Sequence, residues 1–99
     1  MIETKEILNF LKQNKTYFQN NFNYSKIGLF GSYARNEQTE NSDIDIIIVY
    51  KPKTENLLDK ELEIKQLISQ KFNKKVDICY EKWLKPIFKP LVLKETIYA

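Results

Sequence analysis

The chain has no histidine, one cysteine, one arginine, and no apolar run long enough to span a bilayer. Each absence removes a class of function. Without histidine there is no imidazole base and no imidazole metal ligand. A metal here must be held by oxygen, which favours Mg²⁺ or Mn²⁺. Cys79 alone cannot close an internal disulfide, and it falls in a segment that reads as a buried strand. With no signal peptide and no spanning segment, the expectation is a cytoplasmic protein without a membrane role. Arginine is scarce while lysine and asparagine are abundant, a pattern of base-composition bias more than of function. Lysines and acids are interleaved, with no basic arm. The net charge of +3 therefore reads as a solvated surface, and no direct nucleic-acid binding is expected.

What is present fits one domain spanning residues 1–99, and an apolar content of 42% is enough for a real core. The length does not accommodate a catalytic core plus a separate substrate-selecting domain. An enzyme of this size would draw part of its specificity from a partner or from the substrate itself.

Residues 3–22 place Ile7, Leu11, Phe18 and Phe22 on one stripe of period 3.6, which predicts an amphipathic helix interrupted only at Asn14. Lys26–Phe30 predicts a short strand ending at Gly31. Ser32 to Glu37 reads as a short helix and Gln38 to Asn41 as a loop. Asp43–Tyr50 is the clearest strand. Beyond its two acids both faces are apolar, so it belongs at the centre of a sheet covered on both sides. Thr54 is a plausible N-cap for a helix over 55–72, and Lys75–Tyr80 predicts a third strand with Val76 and Ile78 facing one way. Leu91–Glu95 predicts a last helical turn or two. The pattern α-β-α-β-α-β-α implies an α/β (α+β) fold, a small mixed three-stranded sheet flanked by helices.

Chemistry concentrates in two places. Asp43 and Asp45 alternate along a strand, so both carboxylates point to one face. Two like charges a few ångströms apart oppose each other's ionisation unless a cation lies between them, which favours a metal site over a chance pair at a strand end. Asp77 interrupts the third strand and is the natural third ligand, the plainer reading being a solvent-facing acid or an ion pair with Lys74 or Lys75. Upstream, Gly31-Ser32 closes a strand with a turn whose free N–H groups and hydroxyl suit a phosphate. Arg35 lies one turn beyond, placed either to reach a phosphate or to pair with an acid such as Glu37 or Asp43.

These residues resemble the minimal nucleotidyltransferase family, small members of the DNA polymerase β-like nucleotidyltransferase superfamily. The family's signature is a Gly-Ser turn, a ten-residue spacer, Asp-x-Asp on the next strand and a third Asp on a later one. Here these are Gly31-Ser32, Tyr33 to Ser42, Asp43-Ile44-Asp45, and Asp77. The fuller form, Gly-Ser-x-Ala-Arg-Gly before Ser-Asp-Ile-Asp, matches at every named position except Asn36, where the family has Gly. Asn tolerates the left-handed backbone that such a Gly would adopt.

The resemblance implies transfer of a nucleoside monophosphate from an NTP, ATP in the first instance, with release of pyrophosphate. It makes Asp43, Asp45 and Asp77 the catalytic and metal-binding residues for two Mg²⁺ ions, with Mn²⁺ an alternative. Gly31, Ser32, Arg35 and Ser42 become the nucleotide-binding residues. Small members of the family pair, as antitoxins, with HEPN-domain RNase toxins, and some transfer AMP to a tyrosine of that toxin. Two other readings stand beside this one: a contact-only antitoxin, and transfer to a small molecule or an RNA end. Core packing is the expected use of most of the apolar tail from Trp83 to Tyr98, with docking for the rest.

Overall fold

The computed structural model describes residues 1–99 as a four-stranded sheet with the first three helices packed on one face. Helix α1 spans Thr4–Gln13 and opens with a capping box in which the Glu3 N–H donates to Glu6 Oε2 at 2.6 Å. It buries Ile7 and Leu11. Helix α2, Lys15–Phe22, buries Phe18 and Phe22. The single helix expected over 3–22 is thus two. At the junction Asn14 leaves helical geometry (φ −98°, ψ 9°), and its side chain donates to the Phe10 carbonyl at 2.9 Å beside its own N–H at 3.2 Å. The break lets Phe10 meet Phe18 and Phe72 edge-on at ring separations of 5.7 and 5.4 Å, tying α1 and α2 to the third helix.

Strand β1, Tyr24–Phe30, runs antiparallel to β2, Ile44–Tyr50, and β2 runs parallel to β3, Val76–Tyr80. Helix α3, Leu57–Phe72, makes the crossover between the parallel pair and buries Ile64 and Ile68. Its cap is not Thr54. Asn56, in the left-handed conformation, precedes the first turn, and the Thr54 hydroxyl is used in the loop, donating to Lys51 O and accepting from Asn23 Nδ2. A fourth strand absent from the expectation, β4 (Ile97–Tyr98), pairs antiparallel with β1 after helix α4, Lys89–Glu95. The sheet order is β3-β2-β1-β4.

Strand alternation divides the two faces. Ile27, Leu29, Ile44, Ile46, Ile48 and Val76 join Ile7, Leu11, Phe18, Phe22, Ile64 and Ile68 in the core. The opposite face carries Gly28, Asp45, Ile47 and Asp77, and Ile47 is also fully buried there, so central β2 is covered on both sides. The tail is less buried than its composition suggests: Trp83, Ile87, Phe88 and Leu91 are all exposed, and α4 has no buried residue. Core packing is therefore not the main use of that segment. No helix is long and apolar enough to cross a membrane.

Candidate active site

Strand directions assemble the site. Because β1 and β2 are antiparallel, the end of β1 lies beside the start of β2, with Phe30 opposite Asp45. Because β2 and β3 are parallel, the start of β3 lies on the other side, with Asp45 opposite Asp77. The Gly31 turn, the Asp43–Asp45 pair and Asp77 therefore meet at one corner of the sheet. Backbone pairing alone brings these three places, marked separately in the sequence, to that corner.

Gly31 leaves β1 with φ of +75°, and a Cβ built there would stand 2.2 Å from Asp45 Oδ2. Only glycine gives both the backbone conformation and the room for that carboxylate. The segment that follows is a run of turns, not the expected helix. The Arg35 N–H donates to Gly31 O at 3.1 Å. Glu37 N–H to Ser32 O at 2.9 Å and Asn36 N–H to Tyr33 O at 3.3 Å then close the segment as a C-cap does. Asn36 supplies the left-handed residue with φ of 58°. Buried Tyr33 pins the turn to the core, and the Thr4 hydroxyl donates to its carbonyl. The amides of Ser32, Tyr33 and Ala34 donate to no acceptor in the chain.

Burial, followed by the charges of Asp77 and Asp43, pushes the Asp45 carboxyl up to about 6, against an ordinary value of 3.8. Asp43 Oδ2 lies 3.7 Å from Lys75 Nζ. Asp77 makes no ion pair; it is exposed on β3, an edge strand rather than the middle of the sheet. As the side chains stand, no three acids converge on a single point. Ser42 directs its hydroxyl into its own loop, where Oγ accepts the Thr39 N–H at 2.9 Å, so it does not join the turn. Arg35 pairs with Glu37 at 3.1 Å, as one of its alternatives required, and not with Asp43.

The strongest partner of Arg35 is a residue that the sequence reading passed over. Glu95, the last residue of α4, accepts from Arg35 Nη1 at 2.8 Å through Oε2 and from the Gly31 N–H at 3.1 Å through Oε1. Its signal was a negative charge at a helix C-terminus, where the macrodipole disfavours one and an external partner must hold it.

The donor set suits a hard divalent cation. It is all oxygen, Asp45 carries an ionisation penalty that a cation would relieve, and the missing Cβ of Gly31 gives the Asp45 carboxylate room beside the turn. The surface clefts lie elsewhere. One of about 520 Å³, bordered by Tyr50, Lys51, Tyr80 and Lys89, is at the far end of β2.

The model of the Nucleotidyltransferase domain family matches residues 5–99. The protein adenylyltransferase MntA of Thermococcus cleftensis is 32% identical over 99 residues, covering 100% of this chain and 98% of that protein. A solved structure of an inferred minimal nucleotidyltransferase superposes with a TM-score of 0.78 at 25% identity, over 97% of this chain and 95% of that one. The fold also matches a chain in the solved complex of a tri-AMPylated Shewanella oneidensis HEPN toxin with MNT antitoxin. There the TM-score is 0.61 at 17% identity, covering 92% of this chain and 70% of that one.

Proposed function

The chain belongs to the nucleotidyltransferase domain family, and on that premise we propose that it transfers AMP from ATP to a tyrosine hydroxyl of a partner protein, acting as the antitoxin of a HEPN RNase toxin. The observation that carries this reading is the corner where Gly31, Asp43, Asp45 and Asp77 meet. Support for the acceptor comes from the Thermococcus cleftensis relative, a protein adenylyltransferase. Support for the partner comes from the fold shared with the complex in which a HEPN toxin carries AMP.

Asp43, Asp45 and Asp77 would hold two Mg²⁺ ions, or Mn²⁺, and such ions would supply charge stabilisation to the attacking and leaving oxygens of an in-line displacement. The free amides of Ser32, Tyr33 and Ala34 and the Ser32 hydroxyl receive oxygens of the triphosphate, orienting the α-phosphorus. Asp77, the acid most open to solvent, accepts the proton of the acceptor hydroxyl. The hydroxyl oxygen bonds to the α-phosphorus, the bond to the bridging oxygen breaks, and pyrophosphate leaves with that electron pair. The acids stand at an open corner and not in an enclosed pocket, a placement that a protein side chain can reach. The exposed Trp83, Ile87, Phe88 and Leu91 offer an apolar surface on which that protein docks.

The test is to add the protein, Mg²⁺ and α-³²P-labelled ATP to lysate of its native host and look for a labelled protein band. Asp43→Asn, Asp45→Asn runs alongside. A band that disappears with the double variant supports the reading. A partner that co-purifies unlabelled favours a contact-only antitoxin, and a band retained by the double variant overturns the metal-site assignment.

A further inference from the structure

We infer that Glu95 holds the phosphate donors of the Gly31–Arg35 turn in the nucleotide-free protein and yields them to the incoming phosphate, so that nucleotide binding is coupled to the seating of the C-terminal α4–β4 segment. This inference rests on the reading above, that the turn binds the triphosphate. The Glu95 carboxylate presents one oxygen to the Gly31 N–H and the other to Arg35 Nη1. Two acceptor oxygens, spaced to bridge a backbone amide and a guanidinium, are what a phosphate group also presents at such a turn. The carboxylate therefore stands in for the ligand.

A phosphate and Glu95 cannot both take the single proton of the Gly31 amide, and Glu95 occupies the Nη1 edge of the chain's only arginine. The corner already carries Asp43, Asp45 and Asp77, so a further anion beside Glu95 meets repulsion unless that side chain moves. Little else holds it: Glu95 ends α4, where the helix dipole opposes its charge.

Movement of Glu95 reaches the tail directly. Thr96 follows it, and Ile97–Tyr98 form β4 against Gly28 and Leu29 of β1. The Thr96 hydroxyl donates to Val92 O at 2.7 Å, which links β4 back into α4. A carboxylate drawn out of the turn therefore pulls on a short strand.

Titration calorimetry with Mg²⁺–ATP on the full chain tests this, using wild type, Glu95→Gln, Ser32→Ala, Arg35→Met and the Glu95→Gln, Arg35→Met double variant. Glu95→Gln is expected to tighten binding about fivefold or more. In the Arg35→Met background the gain should be smaller, because competition for the guanidinium is gone and only that for the Gly31 amide remains. Unchanged or weaker binding by a Glu95→Gln protein of wild-type melting temperature overturns the inference. If Ser32→Ala has meanwhile lost affinity, the nucleotide reading survives that result. No binding by wild type overturns both. Hydrogen exchange on the unmutated protein gives an independent check: saturating ATP should speed exchange across residues 89–99, and slower or unchanged exchange there overturns the coupling.

Discussion

Burial beside the Gly31 turn, followed by the charges of Asp77, Asp43 and Glu95, pushes the Asp45 carboxyl up to about 6 in the folded chain, against 3.8 ordinarily. From about pH 4 to about pH 6 the folded state thus binds more protons than the unfolded one, and stability falls as pH rises through that window. A fully shielded group would lose roughly 3 kcal/mol over it, and solvent screening of this half-buried one reduces that to about 1 kcal/mol. Asp45→Asn should abolish transfer yet, with metal chelated, raise stability at pH 7.5 by about 1 kcal/mol and flatten the profile. Melting temperatures from pH 4 to 8 in EDTA measure this; a variant that melts below wild type at pH 7.5 contradicts it. The same scale explains the chain's use of asparagine. It has two glycines, and four of its five other residues at positive φ are Asn23, Asn36, Asn56 and Asn73. Asn36→Gly should leave stability nearly unchanged, while Asn36→Val should cost about 1–2 kcal/mol in urea unfolding, because a β-branched residue cannot close that turn.

Elements with a strong period were legible in the sequence, and those made by a few residues were not. Strand β2 and helix α3 declare themselves through continuous and periodic apolar positions. The division of the first helix turns on the backbone of one residue, Asn14, whose side chain also bonds Phe10 O. Thr54 met the compositional rule for an N-cap but had a better use in bridging Lys51 and Asn23. β4 has two residues and no period at all; it exists because Gly28 leaves room. A Cβ on Gly28 would stand 2.6 Å from Thr96 Cγ2 and 3.2 Å from the Ile97 carbonyl. Glycine inside a strand marks such an approach. Gly28→Val should accordingly unseat β4, exposing residues 89–99 to limited proteolysis at least about tenfold faster while the β1–β2–β3 core still melts cooperatively. Intact protection of the tail would show that β4 docks by other means.

Taken as one molecule, the chain has a helix-covered face that holds it together and an opposite face where the acids meet the tail. The three acids and the Gly-Ser turn could be read from spacing, since strand alternation and a turn glycine are local rules. Glu95 could not, because its partners lie 64 and 60 residues away and only the closing of β4 on β1 brings them near. Nor did composition reveal that the tail's large apolar side chains face solvent. Phe88→Asp, Leu91→Asp should abolish co-purification of the partner while shifting the melting temperature by less than about 3 °C, since both side chains are already exposed. A large fall in stability would return those residues to the core.

A lone guanidinium also gives this protein a built-in chemical address. Arginine-selective dicarbonyl reagents can attach only at Arg35, and an arginine-specific protease has one bond to cut, Arg35–Asn36. Since Glu95 clasps that side chain, the rate of adduct formation counts how often the clasp is open, with no label introduced and no residue changed.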